Sequence, residues 1–247
     1  MKELLKRLSY RQSSNLAVVS NNEFLIEEYP LEKYSKHLPS WFKDIKVDLS
    51  EYKQDHEKGR NHTAKSCSGI WDYFKTGYLL RFNFDITLDI KDNNNFSYYP
   101  ESHKDRYNMT WFDAELYGMH TPLQSQSDLM IKLETLYKIV SNKSTKVLIT
   151  DPFYNYESTY RIVPGIVDPF YVNDVNVIIE PLAKKIEIKR GDPALLMFSL
   201  DNETIHSRVA TDKDNKIIQR NLYKQNTYGL SWYEKLRSNR GLDGNNH

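Results

Sequence analysis

Between Tyr78 and Ile90 the chain alternates with a period of two. Tyr78, Leu80, Phe82, Phe84, Ile86, Leu88 and Ile90 are apolar, while Arg81, Asn83, Asp85, Thr87 and Asp89 between them are polar. Successive side chains of a strand point to opposite faces, so the pattern predicts one long strand with a buried and a wet face. Asp92-Asn93-Asn94-Asn95 supplies a turn, and Phe96-Ser97-Tyr98 begins the return strand.

The same reading extends along the chain. A second hairpin is expected where Leu136 to Val140 meets Lys146 to Thr150 across Ser141-Asn142-Lys143-Ser144, with Ser127-Asp128 capping a short helix before it. Further strands are expected at Tyr160 to Val163, Val175 to Glu180, Ile186 to Lys189 and Ala194 to Leu200. They are separated by Pro164-Gly165, Pro181 and Gly191-Asp192. Short strands divided by turn signals imply a sandwich, jelly roll or closed barrel rather than a parallel α/β sheet. Residues 1–60 are polar and broken by Pro30 and Pro39, and they read as an irregular arm packed on a β core spanning 61–225. Tyr228, Trp232, Tyr233 and Leu236 recur at helical spacing, which predicts a short helix and tail over 226–247.

Composition narrows the function classes. The 34 Lys and Arg against 33 Asp and Glu leave a net charge of +1 with the signs interspersed, so the chain carries no footprint for duplex nucleic acid. No apolar run approaches the ~20 residues of a spanning helix, and the start lacks a signal peptide, so a soluble protein outside the membrane is expected. The single cysteine, Cys67, excludes an intramolecular disulfide framework and a Cys-based zinc site, and it reads as a small buried hydrophobe. Aromatic residues reach 13 %, with 18 Tyr, an excess that suits half-buried sheet surfaces and binding faces alike. His120 lies near Gln124 and Gln126, and His206 follows Glu203, but no facial triad for iron is spelled out, so no metal is expected. No Gly-x-Ser-x-Gly elbow supports acyl chemistry.

The most informative stretch is Pro164-Gly-Ile-Val-Asp168-Pro-Phe-Tyr171, followed by Asp174-Val-Asn-Val-Ile-Ile-Glu180 and Ile186-Glu-Ile-Lys-Arg190-Gly191-Asp192-Pro-Ala-Leu-Leu-Met-Phe198. Gly165 permits a tight turn, after which Asp168 and Tyr171 project from a strand mouth, and Arg190-Gly191-Asp192 makes a reverse turn between two apolar strands. Asp168 reads either as a turn residue accepting backbone hydrogen bonds or as a site carboxylate.

This segment resembles the trimeric dUTPase and dCTP deaminase superfamily over about a quarter of the chain. The resemblance implies a dUTPase-like distorted β-barrel or jelly roll, with Asp168 as the carboxylate that orients water and Tyr171 as the ring that packs on deoxyribose. It also implies a homo-oligomer, a trimer, and a magnesium cofactor should nucleotide hydrolysis hold. The pattern departs where a phosphate-binding Pro-Arg-Ser is expected. The chain there reads Asp151-Pro152-Phe153-Tyr154, which would meet a triphosphate with an acid and aromatics, and Leu196 stands at the position of the expected Gln. The order Leu38-Pro-Ser-Trp41-Phe-Lys, then Lys65-Ser-Cys67-Ser-Gly-Ile-Trp71-Asp-Tyr-Phe-Lys-Thr-Gly77-Tyr, is similar to a group of uncharacterised proteins of marine bacteriophages, those of cyanobacteria above all. That resemblance implies a phage origin and a place in the infected host's cytoplasm or the virion, and it transfers no catalytic residue.

The sequence therefore predicts a binding or structural protein that keeps the barrel without the catalytic set and needs no cofactor. Its expected ligand-binding residues are Asp168, Tyr171, Phe153, Tyr154 and Asp151, with Asp168 the candidate catalytic group. A neutral or cationic ligand stacked on the aromatics suits that lining. The alternatives are dUTP hydrolysis or dCTP deamination, and thirdly an iron-dependent oxygenase on a jelly roll.

Overall fold

The computed structural model describes residues 16–45, 63–91, 95–100, 109–113, 129–154 and 158–238. The chain is mainly β, with a C-terminal helix. Fourteen strands are described: β1 (Leu16–Ser20), β2 (Glu32–Lys33), β3 (Tyr78–Arg81), β4 (Ile86–Lys91), β5 (Asn95–Pro100), β6 (Met109–Asp113), β7 (Leu129–Ser141), β8 (Val147–Thr150), β9 (Tyr160–Ile162), β10 (Gly165–Val167), β11 (Asp174–Pro181), β12 (Lys185–Ile188), β13 (Pro193–Ser199) and β14 (His206–Val209). The α-helices are α1 (Glu23–Glu28), α2 (Ser40–Asp44), α3 (Ser68–Thr76) and α4 (Asp212–Ser238).

The strands form three sheets. The first runs β14-β1-β7-β11-β9, with β6 also paired to β7, the second runs β10-β8-β13-β3-β2, and the third runs β12-β4-β5. Apart from the parallel pair of β1 and β14, the pairings are antiparallel. Such mixed connectivity, with neighbours in sequence lodged in different sheets, is what short strands separated by turn residues allow.

The alternating segment from Tyr78 to Ile90 is divided between two sheets: β3 pairs with β13, and β4 with β12 and β5. At the break, Phe82 N–H donates to the Asp192 carbonyl at 2.9 Å, Gly191 N–H donates to the Phe82 carbonyl at 2.7 Å, and Arg190 N–H donates to Asp85 Oδ1 at 2.7 Å. The Arg190-Gly191-Asp192 turn thus satisfies the backbone groups that leave the ladder, and Gly191 supplies the positive φ of 89° that the turn needs. The inward alternation continues through the bend, with Phe82 and Phe84 each 1 % exposed.

Three other expectations are corrected. Leu136 to Val140 does not pair with Lys146 to Thr150, because β7 lies in the first sheet and β8 in the second. The turn between them carries the chain across the core, and polar anchors hold it there: Thr145 Oγ1 donates to Asp201 Oδ2 at 2.7 Å, and Lys146 N–H donates to the same oxygen at 2.8 Å. In place of a helix starting at Ser127-Asp128, the chain from Leu129 onwards is β7; the capping pair itself lies outside the described residues. Cys67 is exposed at the N-cap of α3 rather than buried. The Asp92-Asn93-Asn94 turn and the last nine residues also lie outside the described residues, although β4 and β5 pair as their expected hairpin down to Lys91 and Asn95.

The segment before residue 60 supplies more than an arm. β1 sits between β14 and β7, and all five of its residues are buried. Residues 34–45 pack over the second sheet. Tyr34, Phe42 and Phe74 pack with Leu79 and Leu196 into an aromatic layer over the second sheet, joined by Trp41, Trp71, Tyr73 and Tyr154. Phe42 and Phe74 are fully buried, and each contributes about 2 kcal/mol by removal from water. The main core joins the three sheets, through Leu16 and Val18 of β1, Leu80 of β3, Leu88 of β4, Ile179 of β11, Ile188 of β12 and Met197 of β13.

Candidate functional site

Asp168 follows β10 and is 2 % exposed. Ser144 Oγ donates to its Oδ2 at 2.6 Å, while Thr145 N–H and Phe170 N–H donate to Oδ1 at 3.3 and 3.1 Å. The Asp168 carbonyl accepts from the N–H groups of Tyr171 and Val172 at 3.0 and 2.9 Å. A short polar side chain that accepts from the backbone two residues on is the usual way for an aspartate to close a turn. Here the same carboxylate also ties down the turn between β7 and β8. Tyr171 is half-buried, its ring set at right angles to that of Phe170 with centroids 4.9 Å apart.

Asp151, Phe153 and Tyr154 lie at the other end of β8. In the antiparallel pairing of β8 with β10, Val147 faces Val167 and Ile149 faces Gly165, so Asp168 and Asp151 flank opposite ends of a strand spanning roughly 13 Å. The structure therefore brings Asp168 and Tyr171 together and sets Asp151, Phe153 and Tyr154 apart from them. Tyr154 belongs to the aromatic layer: its carbonyl accepts from Trp41 Nε1 at 3.1 Å, and its ring lies 5.2 Å from that of Tyr73. Phe153 is 66 % exposed and leans edge-on against Tyr154. Asp151 Oδ1 accepts from Ile162 N–H at 3.2 Å; burial pushes its carboxyl above the ordinary range, against the pull of that bond and of Arg161.

That last bond connects Asp151 to β9, and β9 borders a cavity. Its volume is about 420 Å³, and its walls include Thr159 just before β9 and Tyr160 within it, Lys185 and Glu187 of β12, and Asp192 and Pro193 at the start of β13. Tyr160 is 7 % exposed, with its ring edge-on to Phe82 at 6.3 Å. Its backbone is held by Ser158, whose Oγ donates to the Tyr160 carbonyl at 2.7 Å and accepts from Tyr160 N–H at 3.3 Å. Among the described residues no group hydrogen-bonds the Tyr160 hydroxyl. Burial, then the charges of Asp192 and Asp151, push that hydroxyl well above the ordinary phenol range, so it stays protonated and able to donate. Asp192 Oδ2 accepts from Lys189 N–H at 2.8 Å, and Lys185 Nζ pairs with Glu187 Oε1 at 2.5 Å on the exposed rim.

Sequence reasoning missed Tyr160, Lys185, Glu187 and Asp192 as neighbours. Gly191-Asp192 was legible as a turn, but that it would face β9 depends on how the second and third sheets meet the first. Among the described residues no three His, Cys, Asp or Glu side chains are grouped to hold a metal ion. His120, Gln124 and Gln126 lie outside the described residues, and His206 is exposed on β14. No helix among the described residues is long and apolar enough to cross a membrane.

No protein-family model matches this chain, and no curated protein matches it. Among solved structures it is similar to one titled as native EIAV dUTPase, at 14 % identity and a TM-score of 0.31, over 51 % of this chain and 74 % of that one.

Proposed function

We propose that this chain is a phage-encoded, non-catalytic binding or structural protein on a dUTPase-like β fold, acting in the cytoplasm of the infected host cell as a homo-oligomer, a trimer. The observation that carries the non-catalytic part is the state of Asp168. A carboxylate that orients water must present an oxygen to it, whereas this one is 2 % exposed and accepts from Ser144, Thr145 and Phe170. The loop that would hold a triphosphate supports the same reading. Asp151 and Phe153 offer it no charge-assisted donor, and Tyr154 is committed to the aromatic layer. The phage origin rests on the Leu38 to Lys43 and Lys65 to Tyr78 segments, and the trimer on the resemblance of the Gly165 to Tyr171 segment.

The test is incubation of the purified chain with each deoxynucleoside triphosphate and magnesium, following pyrophosphate and ammonia release. The expected result is no turnover. Turnover of about 1 per second or faster, abolished in Asp168→Asn, would establish an enzyme of ordinary speed and overturn the reading. Light scattering at micromolar concentration is expected to give a trimeric mass, and a strictly monomeric one would remove the assembly.

A further inference from the structure

We infer that the cavity between β9, β12 and the start of β13 binds a small, neutral, polyhydroxylated molecule of the mono- or disaccharide class, held by the Tyr160 hydroxyl and the Asp192 carboxylate. The assignment rests on the non-catalytic reading above, and it names the ligand class that reading leaves open. The cavity is of the size that encloses small ligands, about 420 Å³. Tyr160 is the built part of it: the ring is fixed in the core against Phe82, the residue is 7 % exposed, and the hydroxyl is left with no hydrogen-bond partner among the described residues. That hydroxyl is free to donate to a ligand hydroxyl.

The ligand class follows from donors, acceptors and charge. Tyr160, Thr159 and Lys185 donate, Asp192 and Glu187 accept, and Pro193 offers an apolar surface. Lys185 and Glu187 neutralise one another across the rim, which leaves Asp192 as the uncompensated charge. A phosphate or nucleotide would be repelled by Asp192. An ammonium ion can only donate, so it would leave the Tyr160 and Thr159 hydroxyl protons and the Lys185 Nζ unmatched. Hydroxyl groups donate and accept at once, and a vicinal diol offers both of its protons to a single carboxylate. Asp192 is placed for this, because its backbone and Oδ2 are already fixed by Phe82 and Lys189.

The experiment is saturation-transfer NMR on the full chain with a panel of methyl glycosides, with ethylammonium and inorganic phosphate as the cationic and anionic probes. Tyr160→Phe and Asp192→Asn are run beside the unaltered chain. Both keep the shape of the side chain, and their amide spectra report that the fold is intact. Transfer from at least one glycoside, with affinity reduced about tenfold or more in each folded variant, supports the assignment. Silence from every glycoside, binding that neither variant weakens, or binding of ethylammonium or phosphate alone overturns it. Silence here would leave the non-catalytic reading standing, whereas nucleotide turnover would overturn that reading and leave the glycoside result to be judged by the two variants.

Discussion

Asp168 shows how one side chain holds several local structures at once. Its carboxylate closes its own turn through Phe170 and holds the crossing between β7 and β8 through Ser144 and Thr145. Replacing an oxygen with an amide group turns an acceptor into a donor facing other donors. Asp168→Asn is therefore expected to lower stability by about 1–3 kcal/mol. A denaturant melt checks this, and an unchanged midpoint would show that the carboxylate is not a structural clamp. Arg81 is a second multiple anchor. Its guanidinium bonds His37 Nδ1 and donates to the Gly191 carbonyl at 3.3 Å, and His37 Nε2 lies 2.6 Å from Glu32. Because guanidinium can only donate, His37 Nδ1 must be the acceptor, which places the ring proton on Nε2, facing Glu32. The arm after β2 is so joined to the turn that bends the long alternating segment.

At the scale of elements, α4 is docked by polar groups. Asn221 Nδ2 donates to the Phe170 carbonyl at 3.0 Å and to Asn173 Oδ1 at 2.9 Å, and Asn173 in turn donates to the Ile139 and Pro169 carbonyls. The helix start is a capping arrangement: Thr211 N–H donates to Asp214 Oδ2 at 2.8 Å, and Asp214 N–H donates to Thr211 Oγ1 at 3.3 Å. Arg208 of β14 adds two bonds to the same carboxylate, at 2.5 and 3.0 Å. Burial raises the Asp214 carboxyl, but the bonds from Arg208 and Thr211 outweigh it and hold it down at about 2. A carboxyl whose folded value is depressed stabilises the fold above its unfolded value and loses that contribution as pH falls towards the folded one. The contribution of Asp214, about 2 kcal/mol, is thus present at neutral pH and lost between roughly pH 4 and pH 2. Stability measured across that window should fall less steeply in Asp214→Asn, and identical slopes would refute the assignment. The helix extends from Asp212 and breaks at Gly229, where φ is 48°. The expected boundary at residue 226 therefore falls inside α4.

At the scale of the molecule, one apolar core joins three sheets. Phe84 lies where the chain leaves the second sheet for the third, is 1 % exposed, and sets its ring 5.3 Å from that of Phe82. An unpaired carboxylate there costs several kcal/mol, on the order of the whole stability of a domain. Phe84→Asp is expected to leave the chain unfolded or insoluble. A folded variant with an unchanged melting temperature would show that the bend is not part of the common core. Because the three sheets share that core, the loss should appear together in far- and near-ultraviolet circular dichroism.

Periodicity alone determined which residues face inward: the alternation from Tyr78 to Ile90 places Phe82, Phe84, Ile86, Leu88 and Ile90 in the core, bend included. It also located β9, β11 and β12 to within a residue or two, since a period-two pattern is a local property of the backbone, while β13 was marked by a continuous apolar run after the Gly191-Asp192 turn. The mainly β class followed from the number and spacing of those strands. Pairing was decided by the tertiary structure. β7 and β8 look like a hairpin in sequence, yet each finds its partners elsewhere, because pairing depends on distant strands competing for the same edge. The position of β1 is a similar case: five short residues inside a polar segment become a central strand only when β7 and β14 are present to bury them. Asp168 and Tyr171 were legible as a pair because three residues of one turn hold them together. Tyr160 and Asp192 stand more than thirty residues apart and meet only where β9 faces the Gly191 turn, a proximity that no local pattern encodes.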